Sequence, residues 1–325
     1  LMDRTFRAVA VIATLLAFAV VTIGAWVRLT DAGLGCPDWP GCYGRLVVSA
    51  LSAEDPATAE LTAIRPLDTG KAWREMIHRY LASTLGLLCL VLAGIALRNR
   101  AAPEQPLRLP LALLALVVFQ GLLGMWTVTL LLKPLVVVAH LLGGLATLAL
   151  LFWLARPRAA PLRVGSGVRV LAIVALALLV LQVALGGWTS ANYAALACPD
   201  FPTCQTQWWP AIADFDEAFV LWRGIGIDYE GGVLDHPARV AIHFVHRLGA
   251  VLATLGVATL ATVLAVRRES HWDGIAIMAA LASQVGIGIA IVVLGVPLWA
   301  AVAHNGVAAL LLLSIVNAHR RIWQD

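Results

Sequence analysis

Charge is scarce in this sequence. Only 13% of its 325 residues are Asp, Glu, Lys or Arg, while 61% are hydrophobic and the mean hydropathy is +0.86. A soluble globular domain carries about 25% charged residues, so a water-soluble fold is excluded. The chain is also too apolar for disorder, and too evenly apolar for one anchor on a soluble domain. Its five cysteines are too few for a disulfide scaffold. The apolar runs lack period-2 alternation, which excludes a transmembrane barrel. A net charge of +4 and a pI near 9.0 raise nucleic acid as a partner. The placement of the basic residues argues against it, as shown below.

What the sequence does have is long apolar runs. A membrane-crossing helix needs about 20 such residues, and eight segments reach that length: roughly 8–27, 73–97, 109–132, 134–155, 169–189, 238–266, 274–296 and 298–318. The first, preceded by Arg4 and Arg7, has the look of a secretory signal. Its run is long and no small-x-small cleavage site follows closely, so a retained helix is expected. Orientation follows from Lys and Arg in the loops. One side holds Arg4, Arg7, Arg98, Arg100, Arg108, Arg156, Arg158, Arg163, Arg169, Arg267, Arg268, Arg320 and Arg321. The other holds fewer, namely Arg28, Arg45, Arg65, Lys71, Lys133 and Arg223, diluted by acids. Both termini are therefore expected in the cytoplasm of a cell (inner) membrane protein, and no nucleic-acid role is expected. Two long loops, about 29–72 and 190–237, then lie outside. The second carries Trp208, Trp209, Phe215, Phe219 and Trp222, which suit the lipid headgroup level.

The two halves repeat each other. Trp26 precedes Cys36 by the same interval that Trp188 precedes Cys198. The loops read Cys36-Pro-Asp-Trp-Pro-Gly-Cys42 and Cys198-Pro-Asp-Phe-Pro-Thr-Cys204. Glu75-Met-Ile-His78-Arg79 answers His243-Phe-Val-His246-Arg247, and Gln120 stands before His140 as Gln284 stands before His304. The expected architecture is an all-α membrane protein of eight spans, arranged as two tandem four-helix bundles, residues 1–160 and 161–325. Each half has an even number of spans, so a pseudo-two-fold axis along the membrane normal is expected.

His78, His140, His246 and His304 fall about six to eight residues inside the even-numbered spans, at one depth near the outer surface. One paired imidazole on each face is what a six-coordinate haem iron needs. Structural zinc wants four ligands and catalytic zinc three, and neither set is evident at that depth. His243 lies three residues before His246, but the repeat aligns His246 with His78 and His243 with Glu75. Arg79 and Arg247 are costly in lipid, and haem propionates are natural partners for them. For Arg79 an i,i+4 pair with Glu75 competes with that reading. Glu75 is the one place where the halves differ in acid, which marks the amino half as catalytic and the carboxyl half as electron-carrying. Cys36–Cys42 and Cys198–Cys204 are expected to form short-loop disulfides outside. Their five-residue spacers differ from the C-x-x-C redox arrangement, so bracing is favoured over redox exchange. Cys89 reads as a buried apolar residue.

Taken together, Glu-x-x-His-Arg, the second His of each half, His-Arg, and the paired outer cysteines resemble the haem A synthase family over essentially the whole chain. That resemblance implies an eight-helix membrane enzyme that oxidises the C8 methyl of haem O to a formyl group by successive hydroxylation, for terminal oxidases. It implies His246 and His304 as ligands of a haem b cofactor, His78 and His140 as the substrate-haem pair, and Glu75 as that site's acid. It also implies haem O as substrate, delivered by a haem O synthase, and an electron donor that the letters do not name. Two other readings compete: a di-haem cytochrome b that only carries electrons, and a thiol-disulfide oxidoreductase in which the histidines are structural.

Overall fold

The computed structural model describes residues 4–48, 56–103, 105–157 and 159–324; Arg158 of the basic loop set lies outside them. The described residues are helical, with no strand beyond two isolated bridges inside the cysteine loops. Ten helices run in order: α1 Arg4–Leu29, α2 Pro56–Ile64, α3 Thr69–Arg98, α4 Arg108–Thr129, α5 Pro134–Ala155, α6 Ser166–Ala191, α7 Phe215–Ala218, α8 His236–Ala265, α9 His271–Val293 and α10 Leu298–Ile322. All but α2 and α7 are long and apolar enough to cross a membrane, which gives the eight expected spans.

The helix surfaces are inverted relative to a soluble bundle. On α1 the buried positions include Ala10, Ala13 and Ala17, while Val11, Ile12 and Leu15 are exposed. α3 repeats this, with Ala93 and Ala96 inside and Leu87 and Leu90 outside. Small residues within and large apolar ones without allow close helix approach and a lipid-facing exterior. This is a multi-pass membrane protein.

α3 and α8 start earlier than the apolar runs do. Each is 30 residues long, or about 45 Å, against a hydrocarbon core of about 30 Å. Their first turns are polar, and each is capped by an aspartate: Asp68 accepts from the Lys71 amide and Asp235 from the Ala238 amide. Hydropathy finds the span, whereas the cap sets where the helix begins. The α4–α5 and α9–α10 turns also match. Leu131 and Leu132 in one, and Gly295 and Val296 in the other, have positive φ just ahead of the next helix.

The chain falls into two compact units: the described residues of Leu1–Leu151 with Leu221–Val233, and those of Phe152–Val220 with Leu234–Asp325. In the first, α3 packs on α1 and α4. α5 meets α4 where Gly143 receives Gln120, and meets α1 where Gly144 faces Val21. In the second, α8 packs on α6 and α9, α10 packs on α9, and α10 returns to α6. The first unit thus contains a piece of the second long loop, residues 221–233, as a strap. Lys133, 2% exposed, donates to the Gly224 carbonyl and lies 3.6 Å from the Trp222 ring centroid. Tyr229 joins a buried cluster with Leu34, Val128 and Leu132. Arg65 pairs with Asp228 and Glu230, and Lys71 with Glu230.

Candidate haem sites

The four histidines are seated in the same way. A Cβ built on Gly24 of α1 would lie 2.9 Å from Cε1 of His78 on α3. For Gly186 on α6 and His246 on α8 that distance is 3.2 Å, and for Gly288 on α9 and His304 on α10 it is 3.1 Å. Gly124 on α4 faces His140 on α5 less closely, at 3.7 Å. Each ring therefore lies in a notch that the absent side chain opens on a neighbouring helix. Sequence reasoning marks Gly186 only for close helix packing and does not link these glycines to the histidines, although the signal is present. Gly24 and Gly186 are separated by the interval of the tryptophan landmarks, and Gly124 and Gly288 by that of His140 and His304.

The rings are brought together in pairs. His78 lies within electrostatic reach of His140 in the first unit, and His246 of His304 in the second. Among the described residues no three His, Cys, Asp or Glu side chains converge as a metal site, so a three- or four-ligand zinc set is not formed there. Beside the rings of the second unit lie two glutamine amides. Gln182 Nε2 stands 3.0 Å from His246 Nδ1 and donates to the His246 carbonyl at 3.1 Å. Gln284 Nε2 stands 3.1 Å from His304 Nε2. Both amide atoms of Gln120 are buried without a partner, as are Nδ1 of His78, His140 and His304. Buried polar atoms of this kind are normally satisfied. Paired imidazoles with open nitrogens, in slots between apolar helices, form a donor set that fits a haem with one ligand on each face.

Glu75 and His243 occupy the corresponding place one turn before His78 and His246 and do the same local work. Glu75, 4% exposed, accepts from the Cys36 amide at 2.8 Å, and the Cys198 amide points at His243 Nδ1 at 3.4 Å. The arginines that follow the ligands also grip these loops. Arg79 pairs with Glu75 and donates to the carbonyls of Asp38, Pro40 and Gly41. Arg247 donates to the carbonyls of Cys198, Asp200 and Thr203, and keeps a buried Nε without a partner. The i,i+4 pair expected as the competing reading for Arg79 is thus present, and the carbonyl grip was not foreseen.

Both cysteine pairs are disulfides with Cα–Cα distances of 4.7 Å. Each loop is folded around its aspartate: Asp38 accepts from the Tyr43 and Gly44 amides, and Asp200 from those of Gln205 and Thr206. Trp39-Pro40 and Phe201-Pro202 are cis in both. The first disulfide packs on Ala72 and Met76 of α3, the second on Val240 and Phe244 of α8. Gly35 permits the first contact, since a Cβ there would lie 2.6 Å from the Lys71 backbone. Cys89 is free and buried.

Comparison with known proteins agrees with this geometry. The family model COX15-CtaA, described as cytochrome oxidase assembly protein, matches residues 7–316. The chain belongs to the COX15-CtaA family. Among curated members similar to it, a "Heme A synthase" of Shewanella oneidensis is 44% identical, over 94% of this chain and 92% of that protein. Another from Sphingopyxis alaskensis is 30% identical over 95% and 89%, and one from Agrobacterium fabrum 31% over 94% and 86%. COX15-CtaA membership covers both units, so each site lies within the matched region.

Proposed function

We propose that the chain carries out the haem A synthase reaction, oxidising the C8 methyl group of haem O to the formyl group of haem A. The observation that carries this reading is the pair of matched histidine sites that differ in one acid, Glu75 against His243. Relatives of near-equal length bearing the name Heme A synthase support it. The protein is then a membrane oxidoreductase acting in haem A biosynthesis.

In this reading His78 and His140 hold the substrate haem O, and His246 and His304 hold a resident haem b. A bound haem b supplies one-electron chemistry. The remaining work belongs to the chain. The glycine notches fix where each imidazole presents its nitrogens. Glu75 is the carboxyl one turn from His78 and is the residue able to accept or return a proton there. Its hydrogen bond to Cys36 and its pairing with Arg79 position the carboxylate and close the loop onto α3. Arg79 and Arg247 grip loop carbonyls and would also serve as donors to propionates, with Arg247 Nε the donor left over. Residues 1–160, together with the 221–233 strap, carry the substrate site, and the remainder of 161–325 carries the electron-relaying site. The protein lies in the cell (inner) membrane with both termini cytoplasmic, takes haem O from a haem O synthase, and receives electrons from a separate donor.

The test is haem extraction with mass identification on protein from cells with and without a haem O supply. Haem b under both conditions, with haem O, its hydroxylated form or haem A only under supply, is the expected result. Glu75→Gln should keep haem b but form little haem A. Haem b alone under both conditions would replace the reading with an electron-carrying cytochrome, and no haem in folded protein would return attention to the cysteines.

A further inference from the structure

The polar surroundings of the two histidine pairs differ, and the difference falls on one residue. In the second unit Gln182 of α6 touches both the ring and the carbonyl of His246. The tryptophan and glycine landmarks align Gln182 with Val20 of α1. At that level His78 meets the main-chain carbonyl of Val20 and its Nδ1 has no partner. Gln284 likewise touches His304, whereas its counterpart Gln120 leaves both amide atoms unpaired and His140 sits in the loosest of the four glycine notches. Both rings are therefore braced by side-chain amides in one unit, and neither is in the other.

We propose that Gln182 is a positioning residue that makes the second unit's haem a resident cofactor, and that Val20 in its place leaves the first unit's haem exchangeable. This rests on the assignment of His246 and His304 as haem b ligands. When an imidazole binds a metal through one nitrogen, the other carries the proton and needs an acceptor. That partner orients the ring and raises its basicity as a ligand. Gln182 Oε1 is buried without a partner on an amide already in contact with Nδ1, so a half-turn of the amide supplies the acceptor and gives up the Nε2 bond to the His246 carbonyl. A substrate site needs the reverse, because its haem must leave as product. A valine at the same level offers no side-chain acceptor.

The experiment uses the full-length purified protein. Haem b loss to excess apomyoglobin, the redox midpoint of the haem b, and its low-spin electron paramagnetic resonance signal are measured for wild type, Gln182→Val and Gln182→Glu. Gln182→Val should lose haem b about tenfold faster or more and raise the midpoint, because a less basic ligand favours ferric iron less. Gln182→Glu should retain haem b and lower the midpoint. A merely structural role does not produce shifts of opposite sign from two substitutions at one site. In the reciprocal variant, Val20→Gln, the protein purified from haem O-supplied cells should keep more haem in the first unit. Unchanged loss rate and midpoint in both Gln182 variants overturn the proposal. His246→Ala separates the two levels: if it keeps normal haem b, the ligand assignment itself is wrong. If it loses haem b while the Gln182 variants behave as wild type, only the role of Gln182 fails.

Discussion

At the scale of the residue, the histidine sites are made as much by atoms that are missing as by those that are present. Three of the four imidazoles crowd the volume a Cβ would fill on the facing helix, whereas His140 lies at ordinary contact distance from it. A contact near 2.9 Å forces a shift in a packed core, whereas 3.7 Å is ordinary van der Waals distance, and overpacking by one methyl commonly costs about 1–3 kcal/mol. Gly24→Ala is therefore expected to displace His78 and cut haem A output severely, while Gly124→Ala, beside His140, stays close to wild type. Haem extraction from membranes expressing equal amounts of each variant checks the contrast. Equal loss in both would mean that the notches do not set ring position.

At the scale of the element, the repeated unit is a helix start together with the disulfide loop folded onto it. Asp200 is the hub of the second loop. Burial alone would push its pKa up, but hydrogen bonds from Thr203 and from the Thr206 and Gln205 amides outweigh this, and the carboxyl sits below its ordinary value. A depressed carboxyl stabilises the fold fully above its unfolded pKa, about 3.9, and that contribution is lost as pH falls through the lower folded value. The Gln205 and Thr206 amides should keep their hydrogen-exchange protection from neutral pH down to about 4 and lose it only in stronger acid. Asp200→Asn should weaken that protection at neutral pH. Much of this element was legible in the letters: the paired cysteines, the aspartate between them and the His-Arg that follows recur in both halves. What was not legible is where the arginines go. They grip main-chain carbonyls, which every residue carries, so no letter marks Asp38, Gly41 or Thr203 as acceptors. For the same reason Glu75 and His243, unlike in chemistry, proved alike in contact: both receive the amide of the loop's first cysteine.

At the scale of the molecule, eight spans could be counted from hydropathy alone, but the strap could not be assigned. Residues 221–233 lie in the second half of the sequence and complete the first unit. Asp228 and Glu230 pair with Arg65 and Lys71, 159 to 165 residues away, so no local spacing announces the contact. Lys133 is the anchor, with its ammonium capped by the Gly224 carbonyl and the Trp222 face. A buried cation–π contact is worth about 2 kcal/mol. Lys133→Ala should release the strap, so that limited proteolysis of the purified protein cuts within 221–233 while the helices stay intact. Resistance equal to wild type would show that the ion pairs at Arg65 and Lys71 suffice.

The strap also has a consequence for how the protein is made. Lys133 and Gly224 are 91 residues apart, and a ribosome adds roughly 5–20 residues each second. The strap-bearing end of the first unit must therefore wait on the order of 5–20 seconds after α5 begins to emerge. During that interval a cation meant for burial has only water or lipid headgroups to answer it. Assembly of the first unit is thus timed by translation of the second, and a ribosome that stalls before residue 224 leaves the first unit without its clasp.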